Sequence, residues 1–209
     1  MLTAEYRKQK MVYLNDDIQG FDFEAALPLL SAQRREQALK FKHELGRKQC
    51  ALAYLLLCKG LRQEYGITER PVFEYSEHGK PQIVGHPDIH FNISHCREAV
   101  LCVVSDQPVG CDIESIREYK ESLARYTMND TELEKILHSP HPEQAFIRLW
   151  TMKEALLKLT GEGIRNDIKD VLTGQESFET VENTERGYIY SILYTGDHTV
   201  SNKTLLRLT

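Results

Sequence analysis

The order of helical and strand-like segments along the chain constrains its fold more than any other feature. A helical stretch is followed by short runs of β-type residues, and helices followed by strands occur a second time toward the carboxyl terminus. Turn-forming residues, rather than long helices, separate the consecutive strand-like runs of the first series. A parallel βαβ array requires a helix between successive strands, so the sequence instead predicts an α+β fold.

The limits of the predicted elements follow from hydrophobic periodicity and from turn residues. The stretch 31–62 predicts two helices, which we expect Gly46 to separate and Gly60 and Gly66 to end. A capping-box pattern and a proline predict two further helices, near residues 129–138 and 142–160, the latter ended by Gly161 and Gly163. β-Type runs predict strands over 72–75, 89–93, 99–105, 109–113, 177–181, 188–194 and 199–208, with a Gly-Asp turn at 196–197.

Composition and length agree with a folded chain. The fractions of hydrophobic (41%) and charged (27%) residues are near the average of soluble globular proteins, which excludes a disordered chain. The 209 residues correspond to about 1.4 domains of roughly 150 residues. A turn-forming cluster near residues 106–108 predicts two parts, 1–106 and 107–209.

The sequence also indicates where the protein resides and how its cysteines behave. The longest apolar run, 51–58, is far shorter than the ~20 residues of a membrane span, and the amino terminus lacks the apolar segment of a signal peptide. We therefore expect a cytoplasmic protein without membrane contact. Five cysteines without a C-x-x-C spacing favour neither a disulfide framework nor a zinc site, so we expect buried, small apolar side chains.

The charge is distributed unevenly. The net charge of −5 argues against a nucleic-acid partner, because neutralisation of the phosphates needs a basic face. Residues 31–62 nevertheless hold eight Lys and Arg against two acidic residues, whereas residues 106–140 hold four against eight. One strongly basic stretch is thus part of an acidic chain.

Two segments contain carboxylates at spacings suited to chemistry. In the predicted strand 109–113, Asp112 lies on the same face as Glu114, which follows the strand, and such a pair offers the oxygen ligands that Mg²⁺ prefers. An exposed strand face is the alternative. On the predicted helix, Glu154 and Lys158 are i, i+4 neighbours. They either form a surface ion pair or supply a further carboxylate and a cation for phosphate oxygens.

Two shorter motifs contain groups that bind phosphate. Ser94 and His95 end an apolar strand, and both can donate hydrogen bonds to a phosphate. Lys80 and Pro81 form part of a tight G-K-P turn. Each motif alone is equally compatible with a structural role. The phosphate-binding loops of common nucleotide hydrolases, G-x-x-x-x-G-K-[ST] among them, do not occur in the sequence.

Taken together, four motifs in this order resemble the 4′-phosphopantetheinyl transferases of the larger, two-lobed, surfactin-synthetase-activating type. The motifs are G-K-P at 79–81, F-N-I-S-H at 91–95, V-G-C-D-I-E at 109–114 and W-T-M-K-E-A-L-L-K at 150–158. The resemblance covers roughly residues 30–165. It implies two similar lobes in a pseudo-twofold arrangement, each with a small antiparallel sheet packed on a long helix, and an active site in the cleft between them.

The same resemblance implies an activity and its partners. The 4′-phosphopantetheine arm of coenzyme A would be transferred to a serine of an apo acyl or peptidyl carrier protein, with Mg²⁺ as cofactor and adenosine 3′,5′-bisphosphate as by-product. Carriers of fatty-acid, nonribosomal peptide or polyketide biosynthesis are all compatible with it, and we expect a monomer. The alternatives are a non-catalytic binding module for coenzyme A or a carrier protein, and a Mg²⁺-dependent phosphohydrolase.

The resemblance also assigns roles to individual residues. Asp112, Glu114 and Glu154 would hold Mg²⁺, and Glu154 could be general base, metal ligand or both. Lys158, Lys153 and His95 would contact phosphates or the leaving group, whereas Lys80, Pro81 and Ser94 would line the adenine and ribose-phosphate end. The region that binds the 3′-phosphate would include Arg34, Arg35, Gln37 and Arg47, and Cys50 lies where some relatives have a hydroxyl. Carrier docking would involve apolar residues near 115–130.

Overall fold

Two long helices, α3 (Glu44–Tyr65) and α6 (Pro142–Thr160), each pack on a small β-sheet in the computed structural model. The structure describes residues 10–161, 163, 167–195 and 201–205. This arrangement confirms the predicted α+β class with small antiparallel sheets packed on helices. Among the described helices, none is both long and apolar enough to cross a membrane.

The first part of the chain contains α3 and most of a four-stranded sheet. The strand order is β4 (His90–His95), β5 (Val100–Ser105), β1 (Lys10–Asn15) and β9 (Ser201–Leu205), in which β1 is antiparallel to β5 and parallel to β9. Short helices precede α3, and a separate two-stranded hairpin, β2–β3, follows it. The elements are β1 (Lys10–Asn15), α1 (Phe23–Ala26), a 3₁₀ helix (Leu27–Leu29), α2 (Ala32–Leu39), β2 (Phe73–Tyr75), β3 (Pro81–Ile83), β4 (His90–His95) and β5 (Val100–Ser105).

The second part contains α6 and an antiparallel sheet of order β6-β8-β7. The elements are β6 (Val109–Ser115), α4 (Glu121–Thr127), α5 (Asp130–Leu137), a 3₁₀ helix (Ile168–Asp170), β7 (Phe178–Asn183), β8 (Tyr188–Tyr194) and β9 (Ser201–Leu205). Because β9 pairs with β1, the sheet of the first part includes a strand from beyond residue 107. The predicted division at 106–107 therefore does not separate the strands of the two sheets completely.

Apolar side chains of the two larger sheets form a shared core. Val12 and Leu101 of the first sheet belong to the same buried cluster as Cys111, Ile113 and Ile192 of the second. Alternation along β6 directs Cys111 and Ile113 into this core, so Asp112 and Glu114 lie on the other face. That other face packs on α6, which brings Asp112 and Glu114 to the helix containing Glu154.

Two of the glycines in α3 do not have the positions that the sequence predicted for them. Gly46 was expected to separate two helices, but it lies within the first turn of α3, and residues 40–43 form the separation. Gly60 was expected near the helix end, but it lies within α3, where a β-carbon would come within 2.9 Å of Tyr13 and Val104 atoms. Gly60 thus permits close packing of helix on sheet. Gly66, with φ of 68°, ends the helix as predicted.

The remaining predictions agree with the described elements to within about three residues. The strand predicted over 199–208 corresponds to β9, and the turn predicted at 196–197 lies outside the described residues. Strand β1, strand β3 and helices α1 and α4 were not predicted. All five cysteines are free, and four are buried while Cys58 is half-buried, in agreement with the expected apolar role.

Candidate active site

A cavity of about 500 Å³ lies between the amino-terminal part of α3, the β2–β3 hairpin, β4 and the carboxyl-terminal part of α6. It contains most of the residues that the sequence predicted to bind coenzyme A. The predicted residues that line it are Arg34, Gln37, Lys80, Pro81, His95, Glu154 and Lys158, together with Cys50. Residues separated by more than a hundred positions along the chain, such as Arg34 and Lys158, are thus brought to one site.

Arg34 presents a cation to this cavity from a fixed position. The guanidinium carbon lies 5.5 Å from the ring centroids of both Tyr54 and Phe73, at a distance suited to cation–π attraction. Ser31 caps helix α2 by accepting a hydrogen bond from the Arg34 amide, which holds the backbone at this point. Arg34 Nη1 is also 3.9 Å from Cys50 Sγ.

The β2–β3 hairpin contributes Lys80 to the opposite wall. The turn depends on Gly79, because its φ of 80° lies in the left-handed region, which glycine adopts more readily than other residues. Lys80 Nζ donates to the carbonyl of Leu159 at 2.8 Å, so the lysine joins the hairpin to the end of α6. Burial lowers the pKa of Lys80 from its ordinary value.

Behind the cavity, Lys158, Asp112 and Ser94 form a hydrogen-bonded cluster. Lys158 Nζ lies 2.6 Å from Asp112 Oδ1 and 3.0 Å from Ser94 Oγ. The Ser94 hydroxyl donates to the same Asp112 oxygen at 2.7 Å. Asp112 Oδ2 is buried and has no hydrogen-bond partner among the described residues. Burial alone would lower the pKa of Lys158, but contact with Asp112 outweighs burial and raises the pKa above its ordinary value. Lys158 is therefore a protonated cation within this cluster.

Two glutamates lie near this aspartate, and their ionisation is less favourable than that of an ordinary glutamate. Burial, and secondly the negative charge of Asp112, raise the pKa values of both Glu114 and Glu154. Lys158 opposes this shift at Glu154, and Arg117 opposes it at Glu114. Carboxylate oxygens are the ligands that Mg²⁺ prefers, and the unpartnered Asp112 oxygen among three such groups fits a hard cation. In the described part of the chain, however, no three such side chains are close enough to hold a metal ion together.

Gly110 explains how α6 comes so close to the carboxylates of β6. A β-carbon at Gly110 would lie 2.0 Å from the carbonyl oxygen of Ala155 and 2.6 Å from the amide nitrogen of Leu159. Both atoms belong to the backbone of α6, which cannot move aside as a flexible side chain could. A glycine at this position therefore sets the distance between β6 and the helix that contains Glu154 and Lys158.

His95 completes the wall beside Lys158. Loss of solvation, and secondly the Lys158 charge, lower the pKa of His95, although Asp112 acts in the opposite direction. The neutral imidazole is consequently favoured near neutral pH in the ligand-free protein. A phosphate placed beside both residues would favour the protonated form.

Three of the predicted lysines and arginines are not brought to the cavity. Lys153 is fully buried, and its ammonium contacts Glu132 Oε2 at 2.8 Å and the carbonyls of Ile168 and Lys169 at 2.9 and 2.6 Å. The other two are arginines that donate to main-chain carbonyls, Arg47 to Phe41 at 2.9 Å and Arg35 to Leu27 at 3.1 Å. None of the three lines the cavity.

Asn92 was missed by sequence reasoning although it lies within the F-N-I-S-H motif. Its side-chain oxygen accepts a hydrogen bond from the amide of Cys111 at 3.1 Å, which ties β4 to β6. Asn92 also lines the cavity. An amide side chain within an apolar strand was the available signal, because buried polar groups require partners.

Comparison with known proteins identifies the class to which this site belongs. A family model of the 4′-phosphopantetheinyl transferase superfamily matches residues 108–203. A 4′-phosphopantetheinyl transferase of Bacillus subtilis is 31% identical over 157 residues, which are 73% of this chain and 70% of the relative. For psf-1 of Bacillus pumilus, also a 4′-phosphopantetheinyl transferase, the identity is 33% over 154 residues, with 72% and 66% covered.

The chain belongs to the 4′-phosphopantetheinyl transferase family. The 4′-phosphopantetheinyl transferase Sfp of Bacillus subtilis (strain 168) is 30% identical over 156 residues, with 73% of this chain and 70% of the relative covered. The resemblance drawn from the four motifs is therefore confirmed, including the Sfp type. The protein is a transferase, of the family that moves phosphopantetheine from coenzyme A to carrier proteins.

Proposed function

We propose that this phosphopantetheinyl transferase uses the cavity described above for a Mg²⁺-dependent reaction that releases adenosine 3′,5′-bisphosphate. The observation that carries the proposal is the convergence of Arg34, Lys80, His95, Glu154 and Lys158 on one cavity. Coenzyme A bears several phosphate charges, and four of these five side chains are cations or can become cations. The basic stretch of an otherwise acidic chain supports the same conclusion.

The nucleotide end of coenzyme A would occupy the part of the cavity between α2 and the β2–β3 hairpin. Arg34 and Gln37 line this part, and the aromatic ring of Phe73 offers an apolar surface for a base. Lys80 and Pro81 lie on the hairpin side. This placement would position the pyrophosphate toward His95 and Lys158.

Asp112, Glu114 and Glu154 would hold the Mg²⁺ ion, and its binding would bring their carboxylates closer together than they lie in the ligand-free structure. The unpartnered Asp112 oxygen and the raised pKa values of the two glutamates support this assignment, since a bound cation would relieve the clustering of negative charge. When bound, Mg²⁺ supplies charge neutralisation for pyrophosphate oxygens.

Glu154 is the carboxylate best placed to accept the carrier's proton. It lines the cavity, whereas Asp112 is 3% exposed and does not line it. The raised pKa makes the Glu154 carboxylate a stronger base than an ordinary glutamate. A role as metal ligand and a role as base are both retained in the proposal.

The proposed reaction is an in-line displacement at the β-phosphorus of coenzyme A. The serine oxygen of the carrier forms a bond to this phosphorus, and its proton passes to Glu154. The bond between the β-phosphorus and the bridging pyrophosphate oxygen breaks, and that oxygen leaves with adenosine 3′,5′-bisphosphate. Lys158 stabilises the charge that develops on the phosphate oxygens, and His95 donates a hydrogen bond to them.

The carrier would dock on helix α4 and its surroundings. Two apolar side chains of this helix are exposed, Leu123 at 42% and Tyr126 at 65%. They lie within the region 115–130 that follows the carboxylates of β6. Such exposed apolar groups suit a protein partner.

The proposal is tested by mass spectrometry of apo carrier proteins incubated with the enzyme, coenzyme A and Mg²⁺. A panel of fatty-acid, peptidyl and polyketide carriers is used, and at least one is expected to gain the mass of one phosphopantetheine arm. Asp112→Ala and Glu154→Ala are expected to abolish transfer while circular dichroism shows an intact fold. Full activity of either variant would remove the assigned metal site, and absence of transfer to every carrier would refute the function.

A further inference from the structure

Ser94 lies in a motif that was expected to line the nucleotide site, but the structure gives its hydroxyl different partners. Its side chain is buried, at 7% exposure, and it does not line the cavity. The hydroxyl donates to Asp112 Oδ1 and accepts from Lys158 Nζ, at 2.7 and 3.0 Å. The donor proton of this hydroxyl and one of its two acceptor lone pairs are therefore used within the protein.

The two oxygens of Asp112 differ in their surroundings as a result. Oδ1 accepts from both Ser94 and Lys158, whereas Oδ2 is buried without a hydrogen-bond partner in the described part of the chain. A buried carboxylate oxygen without a partner is costly, and such an atom in a native site points to a missing ligand. The donors on Oδ1 fix the rotation of the carboxylate and keep Oδ2 available.

We propose that Ser94 is a positioning residue that orients Asp112 for the incoming cation rather than a contact of coenzyme A. The proposal rests on the metal site assigned under the proposed function. Hydrogen-bond partners of metal-ligating carboxylates are known to influence metal affinity strongly, and their removal costs about 10-fold to 100-fold. The two possible roles of Ser94 affect different binding steps, so they can be separated.

Ser191 provides a matched control for the loss of a buried hydroxyl. It is the register partner of Asp112 on β8 and is fully buried. Its hydroxyl is bonded instead to those of Thr151 and Thr180, at 2.8 and 3.0 Å. Ser191→Ala therefore removes a neighbouring hydroxyl without removing a donor to Asp112.

The test uses calorimetry on the full chain and two separate titrations. Coenzyme A is titrated into protein in EDTA, and MgCl₂ is then titrated into the metal-free complex, with MgCl₂ into coenzyme A alone as the reference. Ser94→Ala is expected to bind coenzyme A without metal within about twofold of wild type, while Mg²⁺ affinity falls about 10-fold or more. Ser94→Thr, which keeps the hydroxyl, is expected to restore Mg²⁺ affinity, and Ser191→Ala is expected to match wild type.

Either of two results would overturn this role for Ser94. One is a loss of metal-free coenzyme A affinity of about 10-fold or more in Ser94→Ala, which would make Ser94 a nucleotide contact. The other is unchanged Mg²⁺ affinity in that variant, or no Mg²⁺ binding by wild type. Transfer by wild type to a carrier is measured in parallel. Absence of transfer by wild type would contradict the proposed function itself. If wild type is active and Ser94→Ala keeps the wild-type Mg²⁺ affinity, only the inference about Ser94 is contradicted.

Discussion

Lys158 Nζ and Asp112 Oδ1 lie 2.6 Å apart, in an ion pair that joins helix α6 to strand β6. The aspartate side chain is 4% exposed and the lysine side chain 31%, so the pair connects the buried carboxylate to the edge of the cavity. The lysine therefore contacts the candidate metal ligand on one side and borders the proposed coenzyme A site on the other. Lys158 thus links the candidate metal site to the proposed coenzyme A site.

Lys158→Met is expected to lower the rate constant of transfer by about 100-fold or more, because a preorganised cation is lost where charge develops. The measurement is steady-state kinetics with a carrier that wild type modifies. Lys40→Met is the control, since Lys40 forms only an exposed pair with Glu36 on α2. A Lys158→Met enzyme that keeps more than half of the wild-type rate constant would contradict the role.

Gly110→Ala is expected to destabilise the fold by about 3 kcal/mol or more, because the new methyl group would overlap the backbone of α6. Chemical denaturation measures the free energy of unfolding. Gly46→Ala is the control, because the three atoms nearest to a β-carbon there all belong to the exposed side chain of Phe41, which can move. Equal stability of the two variants would show that α6 does not rest on Gly110 as closely as described.

Lys153→Met is expected to lower the free energy of unfolding by about 3–5 kcal/mol, because it leaves the buried Glu132 carboxylate without its cation. Adding Glu132→Gln should recover part of this loss, since glutamine is neutral and still accepts the Asn129 amide. Arg148→Met, which removes a partly exposed pair with Glu182, should cost no more than about 1 kcal/mol. A double variant no more stable than Lys153→Met would contradict this account of the buried pair.

The affinity for coenzyme A is expected to rise as the pH falls from about 8 to 6, more for wild type than for His95→Gln. The pKa of His95 is lowered in the free protein, so the imidazole is neutral, and a bound phosphate would raise that pKa and cause proton uptake. The phosphates of coenzyme A titrate equally with both proteins, so the difference isolates His95. Calorimetry at several pH values measures it, and identical pH dependence of both proteins would exclude His95 as a phosphate contact.

Local sequence signals were sufficient where an element depends on its own residues. Alternation along β6 placed Asp112 and Glu114 on one face, and the structure directs that face to α6. Pro142 and Gly161 marked the limits of α6 correctly. Residues of the motifs at 79–81 and 91–95 also line the cavity, with the exception of Ser94.

The sequence could not predict features that depend on contacts between distant segments. Lys153 was expected at the phosphates from its motif, but its partner Glu132 lies on another helix and holds it in the interior. Gly60 was interpreted as a helix end. The structure instead shows that Tyr13 packs too closely against this position to leave room for a β-carbon. Strand β9 pairs with β1 from the opposite end of the chain, which no local pattern indicates.

The most direct test of the central claim measures both products of one reaction. Enzyme, coenzyme A, Mg²⁺ and an apo carrier are incubated, and holo-carrier and adenosine 3′,5′-bisphosphate are quantified together by mass spectrometry and liquid chromatography. The account predicts equal molar amounts of the two products, and no nucleotide release when the carrier is omitted. Nucleotide release without carrier modification would show a phosphohydrolase and contradict the proposed mechanism.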